Sequence, residues 1–139
     1  MRHRYSCIIA VVSALLLIPA AFAQDEKPVI GINSFIIPAE DLEPLKTAAL
    51  AGSGRAAYRL AQYYGFAFLN FEEQLHWMTI AAENNDQTGI YGLGFLLAKK
   101  PDPVSRIRAR YWLEKSRDQG VEPTASLARQ LLQELDTRK

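Results

Sequence analysis

Few residues of this 139-residue chain have the type and spacing needed for catalysis. His76 is the only histidine beyond residue 3, and no serine lies near it in the Gly-x-Ser-x-Gly motif of a hydrolase nucleophile. Glu72 and Glu73 are adjacent, so on a helix they point in different directions and form no acid/base pair. We therefore expect a protein that is not an enzyme, in which His76 is a structural residue. An envelope hydrolase built around His76 is the least favoured alternative.

The sequence also has few residues suited to binding a metal, a cofactor or nucleic acid. The only cysteine is Cys7, and structural zinc is held by cysteine and histidine instead of by carboxylates alone. Gly92 and Gly94 follow no predicted strand, so they do not form a phosphate-binding loop. The 16 basic residues nearly balance the 15 acidic ones, which does not favour nucleic acid as a partner. The sequence predicts no metal and no cofactor.

The first 23 residues have the three parts of a secretory signal peptide. Arg2 and Arg4 precede a run without charge from Cys7 to Ala23, and the run ends in the small-x-small pattern Ala21-Phe22-Ala23. A retained membrane anchor is the alternative, but the run is short for the ~20 apolar residues that a bilayer requires. We expect cleavage after Ala23, a periplasmic or secreted protein, and contact with the membrane only through the uncleaved signal.

Two regions follow the predicted signal peptide. Residues 24–40 contain two prolines and the β-branched stretch Val29 to Ile37, which predicts an extended arm lying on the rest of the protein. Residues 41–136 have helical periodicity and short breaks, which predict a domain of six helices. The expected helices begin at Asp41, Arg55, Phe71, Gln87, Val104 and Glu122; the second is expected to end at Phe68, and Asn70 is expected to cap the third.

The helical domain is built from one unit used repeatedly. An offset of 33 residues aligns Tyr58 with Tyr91, and an offset of 35 aligns Trp77 with Trp112. Small residues match small ones and large residues match large ones, with two helices to each unit, so we expect the recurring Trp77 and Trp112 to lie in the core. Such a period is typical of an α-solenoid, in which stacked helix pairs bury the faces that one pair alone would expose.

These motifs resemble the Sel-one-like repeat, a relative of the tetratricopeptide repeat, which is the nearest rival. The unit of that family reads roughly A-x-x-x-L-G-x-x-Y, then a loop, then A-x-x-W-x-x-x-A-A-x-x-G. The matching positions are Ala56, Leu60, Ala61, Tyr64, Trp77, Ala81 and Ala82, then Gly89, Leu93, Gly94, Leu97, Ala109, Trp112, Ser116 and Gly120. The sequence departs from the pattern at Gln74, where alanine is expected, and in lacking a glycine-rich loop after Gly65.

The resemblance implies a short right-handed α-solenoid of two to three units and a role as an adaptor or scaffold that binds a partner protein. A periplasmic immunity protein against a toxin delivered to that compartment is the runner-up. The inner wall of the solenoid would carry the partner-binding residues Arg55, Arg59, Gln62, Phe66, Phe95 and Lys99, which recur at helical spacing on the first helices of successive units. The arm from Val29 to Ile37 and the face with Arg106 and Arg110 are the other candidate surfaces.

Overall fold

Capping residues and breaks divide the chain into helices. The computed structural model describes residues 31–137, and within that range it contains six α-helices and no strand. They are α1 (Ala39–Leu50), α2 (Gly54–Gln62), α3 (Phe71–Glu83), α4 (Gln87–Ala98), α5 (Pro103–Gln119) and α6 (Thr124–Thr137). The prediction of an all-α fold with six helices is confirmed. None of these helices has the length and apolar character needed to cross a membrane.

Polar side chains fix the start of four helices. Ser53, Asn70, Asp86 and Asp102 each accept a hydrogen bond from the backbone N–H three residues further on, at 3.3, 3.2, 2.7 and 2.8 Å. Each such cap contributes ~1 kcal/mol, because it satisfies an N–H group that the helix leaves unpaired. The predicted cap at Asn70 is confirmed.

Two helix ends depend on local backbone geometry. Asn85 follows α3 with a φ of 59°, the left-handed conformation that asparagine tolerates better than most residues. Gly120 ends α5 with a φ of −75°, so it is not the left-handed cap that a terminal glycine suggests. Its lack of a side chain is needed for another reason, since a Cβ there would lie 2.2 Å from the carbonyl oxygen of Ser116.

The segment before α1 is not extended along its whole length. Residues 32–35 form a 3₁₀ turn, in which the Ser34 N–H donates to the Gly31 carbonyl at 2.9 Å, and α1 begins at Ala39, within the expected arm. The extended conformation is not stabilised here, because the described residues contain no strand for this segment to pair with. Ile37 is buried in the core and the Phe35 ring lies 4.8 Å from that of Phe66. The predicted signal peptide and residues 24–30 lie outside the described residues.

Small residues set the distance between neighbouring helices. Each helix packs on the next one in the chain, most extensively α2 on α3 and α4 on α5, and α4 also contacts α6. A Cβ at Gly89 would lie 2.7 Å from the Cβ of Ala81, and one at Gly94 would lie 2.8 Å from the Leu113 side chain. Glycine at these positions therefore lets α4 approach α3 on one side and α5 on the other.

Positions aligned by the repeat are buried alike. Leu60 and Leu93 are both fully buried, and Trp77 and Trp112 are 5% and 8% exposed. The indole N–H of Trp77 donates to a Glu73 carboxylate oxygen at 2.9 Å, so its one polar group is satisfied. The predicted core positions of both tryptophans are confirmed.

Trp77→Ala and Trp112→Ala are each expected to lower the free energy of unfolding by ~3–5 kcal/mol, because each leaves a cavity in the core. Urea denaturation followed by circular dichroism measures the change. Ile107→Ala is the matched control, because Ile107 is a large apolar residue on the same helix as Trp112 and is 71% exposed. Equal losses for Trp112→Ala and Ile107→Ala would contradict the packing described here.

Candidate functional site

Helices α2, α3 and α4 enclose a groove of about 620 Å³. Its volume lies within the ~300–1,000 Å³ that is typical of ligand pockets. The walls are mainly aromatic and aliphatic, with Tyr58 and Phe66 from α2 and the turn after it, Met78 from α3, and Tyr91 and Phe95 from α4. Apolar walls with a few polar groups are the usual composition of a site that binds an organic ligand or a peptide.

The mouth of the groove exposes large apolar side chains. Phe66, Leu69 and Phe71 all line the groove and are 49%, 68% and 66% exposed. Phe68 lies between them in the chain and is 58% exposed. Single exposed apolar residues are ordinary, but a contiguous cluster on the rim of a groove marks an interaction surface.

An irregular backbone presents this cluster. The helix predicted from Arg55 to Phe68 changes to a π-helical turn at Tyr63–Ala67, and the Asn70 N–H then donates to the Tyr64 carbonyl at 2.9 Å. Leu69 has a φ of 53°, which costs a non-glycine residue ~1–3 kcal/mol. Both π turns and strained residues concentrate at functional sites, because regular packing does not favour them.

Gln74 lies in the wall of the groove and is 6% exposed. Its side-chain amide makes no hydrogen bond to any residue in the range 31–137, and its atoms are not among the fully enclosed polar atoms that lack a partner, so the amide is open to the groove. Gly65 makes room for it, since a Cβ at that position would lie 2.2 Å from the Gln74 Nε2 atom. The 35-residue offset aligns Gln74 with Ala109 and the 33-residue offset aligns Gly65 with Ala98. The groove therefore has a large polar side chain and a glycine where the next unit has two alanines.

The charge of the groove is positive at one end. Lys99 and Lys100 lie there, both exposed, and no aspartate or glutamate is among the lining residues. The Lys99 Nζ atom lies 4.2 Å from the centroid of the Phe95 ring, within the range of a cation–π interaction. This end of the groove is therefore suited to an anionic group.

Tyrosine hydroxyls supply further polar groups. The Gln62 amide donates to the Tyr58 hydroxyl at 3.4 Å. Burial, and then the Asp86 carboxylate, raises the pKa of Tyr58, and burial, followed by Glu134, raises the pKa of Tyr91. Both phenols therefore stay protonated at neutral pH and can act as hydrogen-bond donors.

Four of the six residues predicted to bind a partner lie in the groove. Gln62, Phe66, Phe95 and Lys99 line the groove. Arg55 is exposed and is not a lining residue. Arg59 donates to the carbonyl oxygens of Ser34 and Ile36 at 2.8 and 3.2 Å, so its guanidinium holds the segment before α1 against α2.

The other candidate groups make contacts within the chain. Arg106 donates to the Leu135 carbonyl at 2.6 Å and Arg110 pairs with Asp136, so both residues attach α5 to the end of α6. His76 is exposed, with its ring 5.0 Å from that of Trp77. Residues 31–137 contain no cluster of three or more histidine, cysteine, aspartate or glutamate side chains that could hold a metal.

Sequence reasoning did not identify Leu69, Phe71, Gln74 and Met78 as site residues. The available signal was Gln74, because a long polar side chain occupied a position where the repeat has alanine. The sequence contains no pattern that indicates the backbone conformation of Leu69, since neither its φ nor the preceding π turn follows from residue types.

The fit between Gly65 and Gln74 predicts strong coupling between the two positions. Gly65→Ala is expected to destabilise the protein, because the added methyl group displaces the buried Gln74 side chain. In a Gln74→Ala background the same change should cost at least ~1 kcal/mol less, since coupling between contacting residues is typically ~0.5–3 kcal/mol. Denaturation of the four proteins of this double-mutant cycle measures the coupling, and additive effects would contradict the described contact.

Comparison with known proteins places the chain beside a bacterial relative. It is 30% identical over 106 residues to the uncharacterized protein YibG of Escherichia coli (strain K12), an alignment that covers 72% of this chain and 69% of that protein. No protein-family model matches the chain, and no solved structure matches it either. At this level of identity and coverage, the chain belongs to the same family as YibG.

Proposed function

We propose that the helices form a short right-handed α-solenoid of two to three Sel-one-like units. The pairs α2–α3 and α4–α5 are the complete units, and α1 and α6 are halves of the neighbouring ones. The extensive contacts within these two pairs and the matched burial of Leu60 with Leu93 support this arrangement. In such a solenoid α2, α4 and α6 line the concave side. The proposal includes export to the periplasm or the medium, on the strength of residues 1–23.

The function that this geometry supports best is binding of a partner protein, as an adaptor or scaffold. One observation carries the proposal, namely the groove of α2, α3 and α4 with its exposed apolar rim at Phe66, Leu69 and Phe71. Aromatic residues at the centre of an interface supply most of its binding energy, because they bury a large area at a small entropic cost. The binding site keeps Gln62, Phe66, Phe95 and Lys99 from the residues predicted by sequence and adds the rim residues and Gln74.

Site-specific photo-crosslinking in the native host tests this function. A photoreactive phenylalanine analogue at Phe71 is expected to form a covalent adduct with a partner protein, because Phe71 lies on the rim of the groove and is 66% exposed. The same analogue at Tyr111 is the matched control, since Tyr111 is an aromatic residue on α5 that is 59% exposed and outside the groove. Phe95→Ala should weaken binding of the captured partner by at least ~2 kcal/mol without changing helicity.

Two outcomes would contradict the proposal. Adducts from Tyr111 but not from Phe71 would move the binding surface to α5. Failure of both positions to capture any protein would remove the adaptor function itself. The identity of a captured partner also distinguishes an adaptor from an immunity protein. If the partner is a toxin encoded beside the gene for this chain, the protein is an immunity protein.

A further inference from the structure

Assuming that the proposed function holds, the chemistry of the groove specifies its ligand. We infer that it binds an extended peptide segment of the partner protein, apolar along its length and acidic at one end, and that Gln74 pairs with the peptide backbone. Three properties of the groove carry this inference: an amide in its wall without a protein partner, two lysines at an end where no carboxylate lines the groove, and its length.

The unpaired amide of Gln74 distinguishes a peptide from other apolar ligands. Gln74 is 6% exposed and lines the groove, and its side chain has no hydrogen-bond partner in the range 31–137. A glutamine amide offers a donor and an acceptor side by side, and a peptide group in an extended chain offers the complementary pair. A hydrocarbon chain offers neither group, so on binding it would displace water from the amide without replacing the hydrogen bonds that the water made.

The lysines determine where the acidic end of the bound peptide lies. Lys99 and Lys100 lie at the C-terminal end of α4, and no acidic residue is among the residues that line the groove. An acidic side chain of a bound peptide would find both ammonium groups without displacing an existing carboxylate of the groove. The acidic end of the peptide therefore lies beside Lys99, and its apolar part runs past Phe95 towards Met78.

The length of the groove sets the number of peptide residues. On α4 it extends from Thr88 to the last residue of the helix, Ala98, which is about 15 Å at the helical rise of 1.5 Å per residue, and Lys99 and Lys100 follow directly after the helix. An extended chain advances ~3.3 Å per residue, so about five peptide residues fit along it. A segment of this size is sufficient for the pairing with Gln74 and for contact with both lysines.

A random heptapeptide library displayed on phage is the probe, with the full chain purified from its host as the target. The expected result is enrichment of peptides with a run of apolar residues that ends in aspartate or glutamate. Fluorescence anisotropy with a labelled peptide of the enriched sequence then measures affinity. Gln74→Met keeps the size of the side chain and removes its hydrogen bonds, so it should weaken binding about tenfold. Gln130→Met, at an exposed position of α6, should not change it.

The charge is tested with the same peptide. Lys99→Glu combined with Lys100→Glu should weaken binding and reverse its dependence on salt concentration, because the attraction becomes a repulsion that salt screens. Circular dichroism confirms that each variant is folded. Enriched peptides without the apolar and acidic pattern, or an affinity unchanged by Gln74→Met, would overturn the inference.

Two further probes identify other occupants. Binding of dansyl-labelled undecanoic acid, with no enrichment of peptides, would overturn the inference and assign the groove to an anionic amphiphile. The peptide QDEKPVI, residues 24–30 of this chain, is acidic and then apolar. If it binds in a Gln74-dependent way and no library peptide binds more tightly, the occupant is the chain itself and the partner assignment is wrong. A partner captured at Phe71 alongside a failed peptide screen would leave the proposed function standing and remove only this inference.

Discussion

Close contact between small residues is the constraint on which the rest of this structure depends. Gly89 lies against Ala81, and Gly94 lies against Leu113, at distances that leave no room for a Cβ on either glycine. Because α4 is held in this way on both sides, the large residues Trp77 and Trp112 can fill the remaining space and stay buried.

The groove arises where this packing rule is broken. Gln74 occupies the position that Ala109 fills in the next unit, and Gly65 replaces the corresponding Ala98. The turn after α2 then takes a π-helical form, and Leu69 adopts a left-handed conformation at its end. The left-handed backbone of Leu69 costs stability, which is the usual relation between a binding site and the fold that supports it.

Periodicity predicted most of the fold, and it predicted less of the site. The six helices, the cap at Asn70 and the burial of both tryptophans follow from residue type and spacing, which are local properties. The contact that Arg59 makes with the segment before α1 could not be predicted in this way. Its carbonyl partners lie at least 23 residues away, in a segment predicted to be extended. Gln74 could be recognised as an exception to the repeat, but its place in a groove depends on how three helices pack.

Hydrogen–deuterium exchange of the protein, free and bound to its captured partner, tests the binding surface most directly. Exchange should be slower in the complex in residues 62–75 and 88–100, where the π turn, the start of α3 and α4 form the groove. Exchange in the middle of α5 should not change, because its exposed side chains at Ile107 and Tyr111 lie outside the groove. Protection confined to α5 and α6, with unchanged exchange around Gln74, would contradict the proposed binding surface.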